Sequence, residues 1–232
     1  MKISVVIAAY DERENIEKLT LRLHRTLSAL GEPFEILYVV DGLDGTRQIV
    51  EGLAAELGAI RMLYGETPSG LGHAFRRGFA ALQPDTDVVV TLDADLNHQP
   101  EEIPRLVEEL KTRCADIVIG SRVAAGHLVE GIPLWKRTLS VVINAWMRLF
   151  FGIPIGDKTS GFRVYRSSVL RELPYENDDF AFLPEMLILA CRKGLVIHEA
   201  PIHFIYRTEG RSKMGFVSTS FSYLRLLFRR RR

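Results

Sequence analysis

Val88-Val89-Val90-Thr91-Leu92-Asp93-Ala94-Asp95-Leu96-Asn97-His98 sets an uncharged, β-branched run directly against two acids. The run is short and unbroken by polar residues, which predicts a strand buried on both faces of a mostly parallel sheet. In an extended backbone alternate side chains share a face, so Asp93 and Asp95 point the same way and Ala94 points the other. In open α/β sheets ligands bind just beyond the carboxyl ends of the strands, where these side chains fall. Two like charges placed there repel unless a cation or donor groups neutralise them. Hard carboxylate oxygens with an amide nearby suit Mg²⁺ or Mn²⁺ bound together with a substrate diphosphate. The competing reading is a pair of solvated loop acids, one of them capping a helix that begins near Pro100.

Outward from this stretch, strand and helix patterns alternate. Strands are expected at 3–9, 34–40, 60–64, 87–92 and 117–119, with helices at 13–30, 46–57, 72–82 and 101–111. Such alternation builds βαβ units. After Ser121 the pattern loosens into a long helix, a turn-rich stretch at 152–161, a helix at 183–191 and short strands within 196–206.

Three other strand ends open onto the same edge as Asp93 and Asp95. The first ends in Ala8-Ala9-Tyr10-Asp11-Glu12, the second in Asp41-Gly42-Leu43-Asp44-Gly45-Thr46, and the fifth in Gly120-Ser121-Arg122. Asp41 can accept hydrogen bonds from a base or ribose, Tyr10 offers an apolar face, and Arg122 offers a fork for phosphate. Each has a duller explanation: Asp44 as a turn or helix-cap residue, Asp41 as a satisfied turn residue. Together they outline a nucleotide pocket around a metal-bound diphosphate.

With 232 residues, 47% hydrophobic and 25% charged, the chain can bury a core without staples. Cys114 and Cys191 have no partner spacing for a disulfide framework or a zinc site, which fits a reducing cytoplasm. The first nine residues read as a strand rather than a signal peptide. Net charge is +1, yet from Arg207 onward eight basic residues (Arg207, Arg211, Lys213, Arg225 and Arg229 to Arg232) face one acid, Glu209. Val217, Phe221, Leu224 and Phe228 recur there at helical spacing, the pattern of a basic interfacial helix, with a packed C-terminal helix as the alternative. No stacking platform or recognition motif supports nucleic acid as the partner of this charge. The long helix carries Trp135 and Trp146, and its longest uncharged stretch, between Arg137 and Arg148, is well short of the roughly 20 residues that span a bilayer. It suits either a headgroup boundary or a buried helix beside the active site.

The order of these pieces resembles the family 2 inverting glycosyltransferases of the GT-A fold, in particular the polyprenol-phosphate (dolichol-phosphate) mannosyltransferase group. The likeness lies in Val5 to Asn15, Gly70-Leu71-Gly72-His73-Ala74 with Arg77-Gly78-Phe79, Leu92 to Pro100, and Ile119-Gly120-Ser121-Arg122. It continues in Asp157 with Ser160-Gly161-Phe162-Arg163, and in Arg207 with Gly210, Ser212 and Lys213. The resemblance implies a mostly parallel, Rossmann-like sheet flanked by helices. It implies a catalytic domain over 1–210, with a nucleotide-sugar half at 1–122 and an acceptor half at 123–210, followed by a basic amphipathic helix at 211–232.

By the same resemblance, Asp93, Asp95 and Asn97 hold Mg²⁺ or Mn²⁺, and Ala8, Tyr10, Glu12, Asp41, Asp93 and Ala94 line the donor. Arg122, Lys136, Arg137, Ser140, Arg207 and Lys213 receive the acceptor phosphate, with Asp95, Arg122 and Arg207 the catalytic group. The implied reaction is metal-dependent inverting transfer of a hexose, mannose from GDP-mannose first, to a polyprenol phosphate at the cytoplasmic face of a membrane. A UDP-glucose or UDP-N-acetylhexosamine donor, or a hydroxyl acceptor with Glu185 as base, is the alternative. The attachment is left open among peripheral helices, spanning segments beyond Arg232 and a separate membrane-anchor subunit. This chain departs from the family text at Ala8-Ala9, in the Asp41 loop and at Ser69, so the motifs leave base and sugar undecided.

Overall fold

The computed structural model describes residues 1–124, 128–131 and 134–206, with only backbone described at 134–137, 139 and 143. The expected C-terminal helix at 211–232 therefore lies outside the described residues. Seven strands form one sheet in the order β3-β2-β1-β4-β7-β5-β8. They are β1 (Ile3–Tyr10), β2 (Phe34–Asp41), β3 (Ile60–Gly65), β4 (Val88–Thr91), β5 (Ile117–Ser121), β7 (Arg163–Arg166) and β8 (Ile197–Pro201). A second, two-stranded sheet pairs β6 (Leu128–Glu130) with β9 (His203–Ile205) in parallel.

The helices are α1 (Ile16–Ala29), α2 (Thr46–Leu57), α3 (Leu71–Ala80), α4 (Ile103–Thr112), α5 (Leu134–Phe151), α6 (Ser167–Arg171) and α7 (Phe182–Arg192), and a 3₁₀ turn, Pro100–Glu102, leads into α4. Apolar residues spaced for one helical face bury α1 to α4 and α7 against the sheet. In α1 these are Ile16, Leu19, Leu23 and Leu27; in α4, Ile103, Leu106, Val107 and Leu110. Alternate residues of the central strands feed two separate cores. Val5, Ile7, Val88 and Val90 pack with α1, α2 and α4, whereas Val6 and Val89 pack with Phe75 of α3 and Phe182 of α7. This two-faced burial is what the unbroken valine run predicted.

Strands β1 to β5 all run in one direction, so their carboxyl ends share an edge. The reversal comes from β7, which enters antiparallel between β4 and β5. Its four residues, Arg163-Val164-Tyr165-Arg166, were not read as a strand because arginines bracket the short apolar centre. The expected nucleotide and acceptor halves thus share one sheet. Gly78 brings α3 close onto the sheet: a Cβ there would lie 2.5 Å from Val6 Cγ1 and 3.2 Å from Val39 Cγ2. Among the described residues no helix is long and apolar enough to cross a membrane.

Candidate active site

The acidic stretch is not an extension of β4. The strand ends at Thr91, and Ala94 and Asp95 lie in a turn that Leu96 closes in the left-handed region at φ 62°. The expected alternation of Asp93, Ala94 and Asp95 across a strand is therefore corrected: a turn aims the carboxylates, while Ala94 is buried in the core. Asn97 holds Asp95 at two points. Its backbone N–H donates to Oδ1 at 3.2 Å and its amide Nδ2 donates to Oδ2 at 2.8 Å. In this arrangement Asn97 orients Asp95.

His98 lies beneath the turn, 1% exposed, with its ring 5.3 Å from those of Phe162 and Phe204. Its Nδ1 accepts the Asp93 backbone N–H at 3.4 Å and passes 3.5 Å from Asp93 Oδ2. Burial pushes the imidazole pKa down to about 4, despite the attraction of Asp95 and Asp157. The ring is neutral at physiological pH, so its approach to Asp93 Oδ2 is a contact and not an ion pair. Behind Asp93 stands Gly161, where a Cβ would lie 2.7 Å from Asp93 Oδ1.

Tyr10 and Asp41 are register partners at the ends of β1 and β2. Gly42, at φ 104°, lets the loop close on Asp11 and the Tyr10 ring; a Cβ there would lie 2.4 Å from Asp11 Oδ1. Tyr10 is exposed, Ala8 is half-buried and Asp41 is buried. Asp41 Oδ1 accepts Arg77 Nη1 at 2.8 Å, and Arg77 Nη2 donates to Tyr64 O at 3.0 Å. Arg77 of α3 thus fixes the Asp41 carboxylate. Sequence reasoning used Arg77 only as part of a likeness, since nothing local connects it with a residue 36 positions earlier. Glu12 is buried; its Oε2 accepts Asn15 Nδ2 at 2.9 Å and its backbone N–H donates to Thr46 Oγ1 at 3.0 Å. Asp44 takes the turn-capping role, receiving Thr46 N–H and Arg13 N–H at 3.0 Å each.

Arg122 departs from the open phosphate fork that its place at the strand end predicted. Nε and Nη2 donate to the two oxygens of Asp157 at 2.7 and 2.8 Å, and Nη2 also reaches Thr159 Oγ1 at 2.9 Å. Burial would raise the Asp157 pKa, but the Arg122 guanidinium and the Arg122 and Thr159 backbone N–H groups outweigh it and hold the carboxyl at about 2. The loop 156–161 is tied down from several sides. Glu199 accepts Gly156 N–H and Asp157 N–H at 2.6 and 2.8 Å, and Ser160 Oγ donates to Gly120 O at 2.7 Å. Thr91 Oγ1 donates to Gly161 O at 2.8 Å. Fully buried Arg163, missed in the sequence, donates to Lys158 O, Ser160 O and Leu183 O at 2.8 to 3.0 Å.

The same loop holds α5. Asn144 Oδ1 accepts Lys158 N–H at 2.9 Å, and Asn144 Nδ2 donates to Ser140 O at 3.0 Å and to Ser140 Oγ at 3.3 Å. Ser140 therefore stands one turn from the Asp157 loop. Lys136 and Arg137 fall in the first turns of α5, where only backbone is described, and Arg207 and Lys213 lie outside the described residues. Glu185 accepts Glu176 N–H, Asn177 N–H and Asn177 Nδ2 at 2.7 to 3.2 Å, so it caps the loop before α7.

No group of three or more His, Cys, Asp and Glu side chains among the described residues could enclose a metal. Two carboxylates held in one turn instead fit a hard cation that takes its remaining oxygens from a diphosphate. A mostly parallel sheet with helices on both faces, one antiparallel insertion and an acidic turn beyond β4 defines a GT-A-like α/β fold. Glucosyl-3-phosphoglycerate synthase from Mycobacterium tuberculosis, solved with Mn²⁺ and uridine diphosphate, shares it with a TM-score of 0.69 at 22% identity, over 98% of this chain and 77% of that one.

Residues 4–174 match the Glycosyl transferase family 2 model, and the chain belongs to that family: it is a glycosyltransferase. It is 36% identical over 220 residues to the undecaprenyl-phosphate mannosyltransferase of Micrococcus luteus, covering 93% of this chain and 88% of the relative. The polyprenol monophosphomannose synthase of Mycolicibacterium smegmatis is 34% identical, over 91% of this chain and 80% of its own length. The dolichol-phosphate mannosyltransferase of Pyrococcus furiosus is 36% identical over 99% of this chain, which spans 63% of that longer protein. The family resemblance read from the motifs is borne out.

Proposed function

We propose that this glycosyltransferase moves a hexose, mannose from GDP-mannose, onto a polyprenol phosphate with inversion at the anomeric carbon. The observation that carries the reading is the 36% identity along 93% of the chain to an undecaprenyl-phosphate mannosyltransferase. The acceptor's chemistry agrees with the site. A phosphate monoester is already anionic at neutral pH and needs no general base, and Glu185 has its carboxylate engaged by loop amides.

In the reaction an acceptor phosphate oxygen bonds to C1 of the sugar while the bond from C1 to the nucleoside diphosphate breaks. The leaving group departs with the electron pair, turning an α-linked donor into a β-linked product. Asp93 and Asp95 would hold Mg²⁺ or Mn²⁺, which when bound neutralises the departing diphosphate. Asn97 and His98 keep the two carboxylates in the turn. Asp41, fixed by Arg77, and Tyr10 take the nucleoside, with Ala8, Glu12 and Ala94 shaping the floor. Arg122, through Asp157, positions the loop between donor and acceptor. Ser140, Lys136, Arg137, Arg207 and Lys213 receive the acceptor phosphate.

We place the enzyme peripherally on the cytoplasmic face of a membrane. Val141, Val142, Leu149 and Phe150 of α5 are exposed beside Arg148, an apolar face with a cation at its margin. The basic segment 211–232, read as an amphipathic helix, would add attraction to anionic lipid, with or without an anchor subunit.

The test supplies labelled GDP-mannose, UDP-glucose or UDP-N-acetylglucosamine with either a polyprenol phosphate or a hydroxyl acceptor. Mannosyl transfer to the lipid phosphate, abolished by EDTA and restored by Mn²⁺, is expected. Transfer only from a UDP-sugar, or only to the hydroxyl, overturns the donor or acceptor assignment respectively.

A further inference from the structure

His98 puts two polar ring nitrogens into a buried, aromatic-lined position, 1% exposed. Its Nδ1 accepts the backbone N–H of Asp93 at 3.4 Å, which places the ring proton on Nε2. That Nε2 is buried and has no hydrogen-bond partner among the described residues. A buried donor without a partner is a cost that phenylalanine would avoid, between Phe162 and Phe204 rings both 5.3 Å away. Only the Nδ1 side offers a return. The histidine backbone also bridges to Phe204, and Ile205 N–H donates to Asn97 O at 3.1 Å, so the turn is anchored on β9 as well as on β4.

We propose that His98 is a positioning residue for the donor site: its Nδ1, accepting the Asp93 backbone N–H, fixes that backbone, and hence the Asp93 carboxylate, in the geometry that receives the metal-bound diphosphate. The inference rests on the metal reading of Asp93 and Asp95. Gly161 limits the carboxylate from the other side, leaving 2.7 Å to Asp93 Oδ1 where a Cβ would stand. Ring nitrogen and glycine both border the Asp93 carboxylate, and losing the ring acceptor frees the backbone that carries it.

The experiment compares wild type, His98→Phe and His98→Asn in the full chain. Free Mn²⁺ is titrated by electron paramagnetic resonance with GDP present, Tm is measured without ligand, and kcat and KM for GDP-mannose are measured separately. Asparagine can place an amide oxygen near the position of Nδ1; phenylalanine preserves the ring and removes the acceptor. The expected result is about tenfold weaker Mn²⁺ binding in His98→Phe at a Tm equal to or above wild type, with KM for the donor raised. His98→Asn recovers most of the affinity although its Tm falls, because the smaller side chain leaves a void.

Wild-type Mn²⁺ affinity in His98→Phe, or affinities that follow Tm across the series, overturns the proposal. If His98→Phe does not fold, His98→Leu replaces it; if no variant without the acceptor folds, His98 is structural and the proposal fails. A wild type that binds no Mn²⁺ with GDP defeats the metal reading itself, an outcome distinct from wild-type-like binding by His98→Phe.

Discussion

Removing the guanidinium in Arg122→Ala separates two roles for Arg122. As an open phosphate receptor, its loss harms acceptor use and leaves the fold intact. As the partner of Asp157, its loss strands a carboxylate that is 1% exposed. The second outcome is expected. Asp157 is held at a pKa of about 2 against an ordinary 3.8, which corresponds to about 2 kcal/mol favouring the folded, ionised carboxylate. Breaking a buried pair by deleting one partner costs about 3–5 kcal/mol. Arg122 is partly solvated, with 22% of its side chain exposed, so the low end, about 3 kcal/mol, applies.

The pH dependence carries the sign. In wild type the Asp157 contribution is complete above the unfolded pKa and is lost as pH falls from about 4 through about 2. In Arg122→Ala burial remains and its counter-charge does not, so the Asp157 pKa rises above the ordinary carboxyl value and protonation favours the fold. Urea unfolding at pH 7, 5.5 and 4 should show the deficit of the variant shrinking as pH falls. A variant within 1 kcal/mol of wild type, with an unchanged pH slope and lost polyprenol phosphate use, would refute the reasoning and return Arg122 to the acceptor.

Two further outcomes follow from the same geometry. Gly161→Ala places a methyl 2.7 Å from Asp93 Oδ1 and should weaken Mn²⁺ binding about tenfold while shifting stability by about 1 kcal/mol; unchanged titration of Mn²⁺ in the presence of GDP contradicts it. Arg77→Ala frees Asp41 from its 2.8 Å partner and should weaken nucleotide binding by about 1.5–3 kcal/mol by calorimetry, with KM for polyprenol phosphate little affected; equal loss for both substrates counts against a nucleoside role.

Periodicity made the β4 core, the flanking helices and the shared strand edge legible, because each buries a face whose spacing is local. The bounds of α2 were read as 46–57 and found at Thr46–Leu57. What stayed hidden depends on contacts distant in sequence. β7 is four residues with an arginine at each end, and Arg163 is buried only because three carbonyls from 158, 160 and 183 converge on its guanidinium. The Arg122 fork looked open because its neutralising acid lies 35 residues away. Likewise the strand alternation assigned to Asp93 and Asp95 failed because the strand ends at Thr91 and gives way to a turn, closed by Leu96 in a left-handed backbone that no side-chain pattern announces. The two acids stood out in the sequence; their contacts with Asn97, His98 and Gly161 did not.

These distant contacts converge on one loop, and that convergence bears on how donor and acceptor are matched. Residues 156–161 touch β4 through Thr91, β5 through Gly120 and Arg122, β8 through Glu199, and α5 through Asn144. Gly161 at its end abuts Asp93, and Lys158 in its middle holds the helix that carries Ser140. A reaction between two bound anions requires their relative placement to be set before they meet, because repulsion will not hold them in line. A loop rigid enough to be pinned by Asp157 and Arg163 can do this only if it is not itself strained by either ligand. The Arg122–Asp157 pair is thus one of the ties that fix this loop between the Asp93 turn and α5.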